Sequence, residues 1–293
     1  MADQIPIDGS ARADLAGDAQ GGVHEVLADV AYQRLVLVNV VYLGSPMAGD
    51  RGWVLVDAGV AGAAGTIVRA AARRFGEDAR PAAIVLTHAH FDHVGALATL
   101  AERWDVPIWA HRLELPYLDG SRAYPPPDAS VGGGLMARLA PLYPRGPVDV
   151  RPRLRTLPED GAVPGLAGWR WVHTPGHSEG HVSLWRPADR TLVSGDAVIT
   201  TAQESAYAVL TQREELHGPP QYFTPDWASA HRSVERLASL EPEVLVSMHG
   251  RALRGPAMRH ALHELAHRFT SVAVPAHGRY VHDEPDPPRG RSR

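Results

Sequence analysis

The sequence of 293 residues contains neither cysteine nor lysine. Without cysteine, disulfide bonds, thiolate metal ligands and thiol nucleophiles are all excluded. The 29 basic side chains are therefore all arginines, and together with 33 acidic residues they give a formal net charge of −4. This charge balance gives no reason to expect a nucleic acid as partner.

Long apolar runs are also missing. No run approaches the ~18 residues that would predict a membrane span, so we expect no membrane partner. The first 22 residues lack both a basic start and an apolar centre, and they therefore do not predict a signal peptide. With 44% hydrophobic and 21% charged residues the composition is typical of a globular protein, which we expect in the cytoplasm.

The most informative segment runs from Thr87 to Gly95. It follows an apolar, β-branched run at 82–86 that predicts a buried strand, and it precedes a segment that predicts a helix. A strand-to-helix turn at the carboxyl end of a strand is where α/β folds place their chemistry. Four side chains of the kind that bind metals fall within six positions: His88, His90, Asp92 and His93. His88 and His90 point the same way in extended backbone, and the other two side chains follow on the turn. This register predicts two adjacent metal positions.

Three more potential ligands follow predicted strands further along the chain. His177 comes after Pro175-Gly176, which predicts a tight turn. Asp196 and His249 each end a short apolar run. One edge of a sheet could therefore gather all seven side chains.

The series His-X-His-X-Asp-His, Pro-Gly-His, Gly-Asp and a histidine at a strand end resembles the metal signature of the metallo-β-lactamase superfamily. Its spacing is most similar to the glyoxalase II-like hydrolase branch, and the resemblance covers residues 35 to 275. The resemblance implies that the first metal is held by His88, His90 and His177 and the second by Asp92, His93 and His249. It also implies that Asp196 bridges both metals.

Two divalent metal ions are therefore the expected cofactors. Zinc is the expected metal, and iron or manganese also suits histidine and carboxylate donors. Two metals ~4 Å apart can share a hydroxide and polarise a carbonyl oxygen. We accordingly expect a dinuclear hydrolase of a small ester, thioester or lactone, in which Asp92 is also catalytic because it orients the hydroxide and carries a proton.

The pattern of elements predicts an α/β protein, and the resemblance implies a four-layer αββα sandwich. We predict flexible tails at 1–22 and 276–293 and one metallo-β-lactamase-like domain at 23–275. Strands are predicted at 34–43, 53–57, 82–87, 107–110, 169–173, 181–186, 191–195 and 243–248. Helices are predicted at 64–75, 95–104, 226–240 and 255–270.

Other residues are expected to support the ligands or to contact substrate. In the resembled family the aspartate at position 57 braces the ligand loop, and His181 is either a similar support or a core residue. The long segments 115–150 and 200–224 are expected to form walls or a lid of the pocket. Within them and nearby, the candidate pocket residues are Tyr124, Gln203, Ser205, Tyr207 and His217.

Two other functions stay open at this stage. A persulfide dioxygenase-like oxidoreductase would use one iron, held by His88, His177 and Asp196. A quorum-signal lactonase of the resembled family would carry a tyrosine three residues after the bridging aspartate, where this chain has Ile199. In every case the expected partner is a small molecule, and a homodimer is the commonest alternative to a monomer.

Overall fold

Two β-sheets packed face to face form the centre of the molecule. The computed structural model describes residues 5–7, 11–13, 22–201 and 215–281. The strands are β1 Ile5–Pro6, β2 Val23–Leu27, β3 Val30–Leu35, β4 Val38–Leu43, β5 Val54–Val56, β6 Ala83–Val85, β7 Ile108–Ala110, β8 Leu154–Thr156, β9 Ala162–Val163, β10 Leu166–His173, β11 Val182–Arg186, β12 Thr191–Gly195, β13 Glu215–Leu216, β14 Val244–Ser247 and β15 Leu253–Arg254.

The first sheet has the strand order β2-β3-β4-β5-β6-β7-β8, and the second has the order β15-β14-β12-β11-β10-β9. β1 and β13 form a separate antiparallel pair. The helices are α1 Ala64–Phe75, α2 Phe91–Val94, α3 Leu97–Trp104, α4 Leu115–Leu118, α5 Leu135–Leu139, α6 Trp227–Ser239 and α7 Gly255–Val272. Within the described ranges, no helix has the combination of length and apolar character that crossing a membrane requires.

The alternation of side chains along β14 shows how the layers are built. Val244 and Val246 belong to the core between the two sheets, whereas Leu245 faces the other way and packs with α6 and α7. α1 and α3 pack against the first sheet through Ile67 and Leu97. The order helix, sheet, sheet, helix gives the four-layer αββα sandwich that the sequence predicts.

Strand directions explain why the potential ligands meet. β5 and β6 are parallel, so the residues that follow them emerge at one edge of the first sheet. In the second sheet β12 and β14 are parallel, and β11 runs antiparallel to both β10 and β12. β10, β12 and β14 therefore run in the same direction, and the turns after them lie at one edge, as in other sheets whose carboxyl ends form a site.

Some of the predicted elements differ from those in the structure. The predicted strand 34–43 is a hairpin of β3 and β4, in which Val36 adopts a positive φ of 62°. A valine at a left-handed turn position is uncommon. Because the turn contains no glycine or asparagine, the sequence does not indicate a turn at this point. The predicted helix 95–104 corresponds to α3 but starts two residues too early, and α2, which precedes it, was not predicted. Between the two helices lies Gly95, where a Cβ would lie 2.2 Å from the backbone nitrogen of Ala61.

Parts of both predicted tails pack against the domain. Ile5 pairs with Leu216 and is 2% exposed, and the Ala13 N–H donates to the carbonyl of Ala252 at 3.1 Å. At the other end the Tyr280 hydroxyl donates to the carbonyl of Pro126 at 2.6 Å. Residues 5–7, 11–13 and 276–281 therefore belong to the folded body, and the remaining parts of both predicted tails, apart from Gly22, lie outside the described residues.

Candidate metal centre

Three imidazoles converge at the edge where the strands end. His90 Nδ1 lies 2.9 Å from His88 Nε2 and 2.9 Å from His177 Nε2, and all three side chains are buried. Burial, together with the neighbouring imidazoles, keeps the pKa of His88 and of His177 well below the usual range, and burial lowers the pKa of His90 to about 3. Neutral imidazoles that point nitrogen atoms at one another are the arrangement that a shared cation stabilises.

A second group lies directly beside the first. It consists of Asp92, His93 and His249, whose donor atoms all lie within 4.8 Å of one another. Asp196 lies between the two groups: its Oδ2 is 3.5 Å from His177 Nε2, 3.6 Å from His93 Nε2 and 3.1 Å from His249 Nε2. The structure thus brings together all seven side chains that the sequence analysis singles out as ligands.

The second group differs from the first in charge. Burial opposes protonation of His93, but the carboxylates of Asp196, Asp92 and Asp57 outweigh it and raise the pKa of His93 well above its usual value. Burial likewise opposes ionisation of Asp196, yet His249 and His93 hold the pKa of that carboxyl well below its usual range. A divalent cation here would take the place of protons on these imidazoles.

Asp57 supports the first ligand loop from behind. It accepts hydrogen bonds at 2.7 Å from the backbone N–H and from the hydroxyl of Thr87, and its Oδ2 lies 2.8 Å from His93 Nδ1. The Thr87 hydroxyl also lies 3.1 Å from His88 Nδ1. Because Nδ1 of His93 contacts Asp57, its Nε2 faces the metal centre, which is how carboxylates usually orient ligand histidines.

His181 positions the central aspartate. Its Nε2 accepts the backbone N–H of Asp196 at 2.9 Å, while its Nδ1 lies 3.1 Å from the carbonyl oxygen of Thr174. Burial lowers the pKa of His181 to about 4, so the ring is neutral and can accept this hydrogen bond. Gly195 makes the approach feasible, because it has a φ of +60° and a Cβ there would lie 2.4 Å from His181 Nε2.

Glu114 is a supporting residue that the sequence analysis misses. Its buried carboxylate accepts from the backbone N–H of Ala89 at 3.1 Å, from that of Gly180 at 2.9 Å and from the Ser178 hydroxyl at 2.6 Å. The Tyr124 hydroxyl donates to it as well. Burial raises the pKa of Glu114 against these hydrogen bonds. One side chain therefore ties the His88–His90 loop to the His177 turn, and the only sequence signal was an acidic residue between two leucines.

The His249 turn is held from the first sheet. The Asn39 side-chain amide donates to the carbonyls of Ser247 and Gly250, both at 2.8 Å. His249 Nδ1 donates to the carbonyl of Leu37 at 2.7 Å. Neither Asn39 nor Leu37 was predicted from the sequence, because both contacts join residues that are more than 200 positions apart in the chain.

Ser178 lies at the centre of a Gly-X-Ser-X-Gly pattern at 176–180, which is typical of a serine nucleophile at a strand-to-helix turn. Here the pattern lies in the turn between two antiparallel strands, β10 and β11. The hydroxyl donates to the carboxylate of Glu114 rather than to an imidazole. The pattern therefore serves the support of the metal centre and does not form a serine hydrolase site.

The structure distributes the candidate pocket residues differently. Tyr124 is 4% exposed, its ring centroid lies 4.3 Å from that of His90, and it lines a cavity beside the metal centre. His217 pairs through its backbone with Ile199, and its Nε2 lies 3.4 Å from a carboxylate oxygen of Glu215. Among the described residues, His217 is not part of the lining of the narrow cavity at Asp92 or of the cavity beside Tyr124. Three candidates lie outside the described residues: Gln203, Ser205 and Tyr207.

The donor set fits metal ions. Within the described part of the chain, His93 Nε2 and Asp196 Oδ1 are buried and have no hydrogen-bond partner. A buried polar atom without a partner is costly, and both atoms belong to the two groups of donors. Imidazole and carboxylate are the donors that zinc, iron and manganese accept.

Comparison with known proteins identifies the family. The model of the family described as the metallo-beta-lactamase superfamily matches residues 34–249. The chain belongs to the metallo-β-lactamase superfamily. It is 46% identical over 263 residues to the probable metallo-hydrolase YflN of Bacillus subtilis strain 168. The alignment covers 90% of this chain and 97% of the relative.

Solved structures agree with this fold. A beta-lactamase domain protein from Burkholderia ambifaria has a TM-score of 0.61 at 24% identity. This alignment covers 89% of this chain and 81% of the Burkholderia chain. The protein TTHA1623, solved in a di-iron-bound form, has a TM-score of 0.51 at 28% identity. This alignment covers 76% of this chain and 92% of the TTHA1623 chain.

Proposed function

We propose that the protein is a dinuclear metal-dependent hydrolase of a small ester, thioester or lactone, in the glyoxalase II-like branch of the superfamily. One observation carries the proposal: two complete groups of donors share Asp196. The name of the Bacillus subtilis relative, a probable metallo-hydrolase, supports the reaction class. Zinc is the proposed metal, with iron or manganese as alternatives that suit the same donors.

The ligands divide the work in this proposal. His88, His90 and His177 would hold one metal, Asp92, His93 and His249 would hold the other, and Asp196, which lies between the two groups, would serve both. When bound, two metals this close supply a nucleophilic hydroxide near neutral pH and polarise the substrate carbonyl. Each imidazole must be neutral to act as a ligand, and the lowered pKa of the first group meets this requirement without release of protons.

Asp92 is the proposed proton carrier. Its Oδ2 lies 3.6 Å from His249 Nε2, and its side chain lines a narrow cavity at the ligands together with Tyr143 and Phe223. A carboxylate that is both near the ligands and reachable from the cavity can accept a proton from the nucleophile and return it to the leaving group. Three aromatic rings pack around this opening and limit the access of water. They belong to Phe91, Tyr143 and Phe223, and their centroids lie 5.0 to 6.3 Å from one another.

A lactonase that depends on a tyrosine three residues after the bridging aspartate is not supported. Ile199 occupies that position and is 1% exposed in the core. Tyr207, one of the candidate pocket residues, lies outside the described residues.

The test is metal content and turnover of matched variants. We expect two ions per chain and hydrolysis of at least one member of an ester, thioester and lactone panel. His88→Ala and Asp196→Asn should abolish turnover and lower metal content while circular dichroism stays unchanged. His263→Ala, on the exposed face of α7, is the control. Activity retained in both ligand variants would refute the proposal, and one iron per chain with persulfide-dependent oxygen uptake would support the dioxygenase alternative instead.

A further inference from the structure

A cavity of about 210 Å³ opens beside the metal centre. His90 and His177 form its inner end, so a molecule in the cavity would reach the metal ligands. The rest of the wall is mostly aromatic and proline, and includes Tyr117, Tyr124, Pro126, Phe223, Pro225 and Tyr280. An apolar pocket with a few polar groups at one end is the usual form of a small-molecule site.

The inner wall of this cavity is rigid. The rings of Tyr117 and Tyr124 stack with centroids 3.8 Å apart, and both residues are buried. The Tyr124 hydroxyl is fixed by Glu114 and by the backbone N–H of Ala89 at 2.9 Å. Neither of these two partners of the Tyr124 hydroxyl lines the cavity, so this wall offers the cavity an aromatic face.

The outer wall comes from the carboxy-terminal segment 278–281. Tyr280 donates its hydroxyl to the carbonyl of Pro126 at 2.6 Å, and the Arg279 N–H donates to the carboxylate of Asp128. Gly278 approaches so closely that a Cβ would lie 2.7 Å from Val131. These contacts hold Tyr280 in the wall of the cavity, although it is far from the ligands in sequence.

The charges around the cavity disfavour anions. Glu179 and Asp226 lie at its exposed rim, and none of its described lining residues is an arginine. The Arg122 guanidinium lies 5.4 Å from the centroid of the Tyr117 ring and 3.4 Å from the Glu179 carboxylate. The side chains of Arg122 and Glu179 are about half exposed, so solvent screens this ion pair.

We propose that this cavity binds an uncharged aromatic or branched aliphatic group that flanks the scissile bond, and that Tyr280 determines how well the group fits. An apolar cavity of ~150 Å³ holds benzene, so 210 Å³ accommodates a group of phenyl size. The inference rests on the proposed hydrolase function, but it concerns the shape and charge of the substrate rather than the reaction.

The first experiment compares three thioesters that share one leaving group and differ in the acyl group: acetyl, phenylacetyl and 4-sulfophenylacetyl. The metal-loaded, full-length protein should show a KM for the phenylacetyl substrate about ten-fold below that of either other substrate, from the added aromatic contacts. Equal KM values for acetyl and phenylacetyl, or a preference for the sulfonate, would overturn the proposal.

Variants locate the effect in the cavity. Tyr280→Ala should reduce the preference for phenylacetyl over acetyl about ten-fold, because it removes the outer aromatic wall. Glu179→Arg should selectively lower the KM of the sulfonated substrate. Glu102→Arg, which changes the charge equally at an exposed position on α3, is the matched control and should leave all three KM values unchanged. An unchanged preference in Tyr280→Ala would place the selectivity elsewhere and refute the assignment.

A binding measurement separates the two proposals. Saturation-transfer NMR with phenylacetamide and 4-sulfophenylacetamide detects occupancy without turnover. If no thioester is hydrolysed but phenylacetamide binds and Tyr280→Ala abolishes the signal, the hydrolase proposal fails and the cavity assignment stands. If esters are hydrolysed but phenylacetamide binds no better than its sulfonate, the cavity assignment fails alone.

Discussion

The metal centre and the cavity beside it are held in different ways. Behind the ligands, Asp57, Glu114 and His181 are buried and each makes two or more hydrogen bonds to ligand loops or strand ends. The outer cavity wall depends on Tyr280, which is only partly buried and makes one hydrogen bond to a carbonyl. The metal centre is therefore supported by several buried hydrogen bonds, whereas the outer cavity wall is held by a single hydrogen bond from a partly exposed side chain.

The largest effect is expected when the link between the ligand loops is removed. Glu114→Ala leaves two backbone N–H groups and two hydroxyls without their buried acceptor. We expect a loss of about 3–5 kcal/mol in the free energy of unfolding, measured by urea denaturation, and weaker metal binding. Glu102→Ala on the surface is the control. A Glu114→Ala protein as stable as the control would show that the loops hold themselves.

Lowering the pH should weaken the metal-free centre. The pKa values of His90 and His181 fall from 6.5 to about 3 and about 4 on folding, so between pH 6.5 and 4 the unfolded chain binds more protons. The stability that these two residues contribute is therefore fully present above pH 6.5 and is lost as the pH falls. We expect these two residues to cost about 3 kcal/mol between pH 6.5 and 5.

The raised pKa values of His93 and His249 act in the opposite direction, because their contribution is present at low pH and is lost as the pH rises. The measurement is thermal unfolding of the metal-free protein at several pH values. His181→Asn should reduce the slope, and a wild-type stability that is constant or rises toward pH 5 would contradict the expected protonation states.

Gly195→Ala tests the close approach behind the central aspartate. An alanine there would combine a positive φ with a Cβ 2.4 Å from His181 Nε2. We expect a destabilisation of about 2–3 kcal/mol. Gly62→Ala separates the two causes, because Gly62 has a φ of +83° but no atom within 4 Å of its Cβ position. Equal losses in the two variants would mean that backbone strain alone matters and that His181 can move away.

The smallest effect is expected at the cavity wall. Tyr280→Phe removes one hydrogen bond to the carbonyl of Pro126 at a partly exposed position. We expect less than about 1 kcal/mol in stability, read from the same urea titration. A loss comparable with that of Glu114→Ala would mean that the carboxy-terminal segment is as integral to the fold as the ligand loops, and the contrast between the two regions would disappear.

The helices show how far local pattern predicts this fold. The predicted helix 64–75 agrees with α1, and the predicted helix 226–240 differs from α6 by one residue at each end. In α6 the Asp226 side chain accepts the Ser229 N–H at 2.9 Å, a cap that the sequence displays directly. The hairpin at Val36 was missed because its turn lacks the residues that mark turns.

The sequence by itself determined the family resemblance and the seven potential ligands. Four of them follow one strand and the other three each follow another, so that local spacing carries this information. Only the tertiary structure revealed Glu114, Asn39 and Tyr280 as partners of the site. Glu114 contacts Gly180 across 66 positions, Asn39 contacts Gly250 across 211, and Tyr280 contacts Pro126 across 154. Contacts over such separations depend on how sheets and loops pack, which no short pattern records.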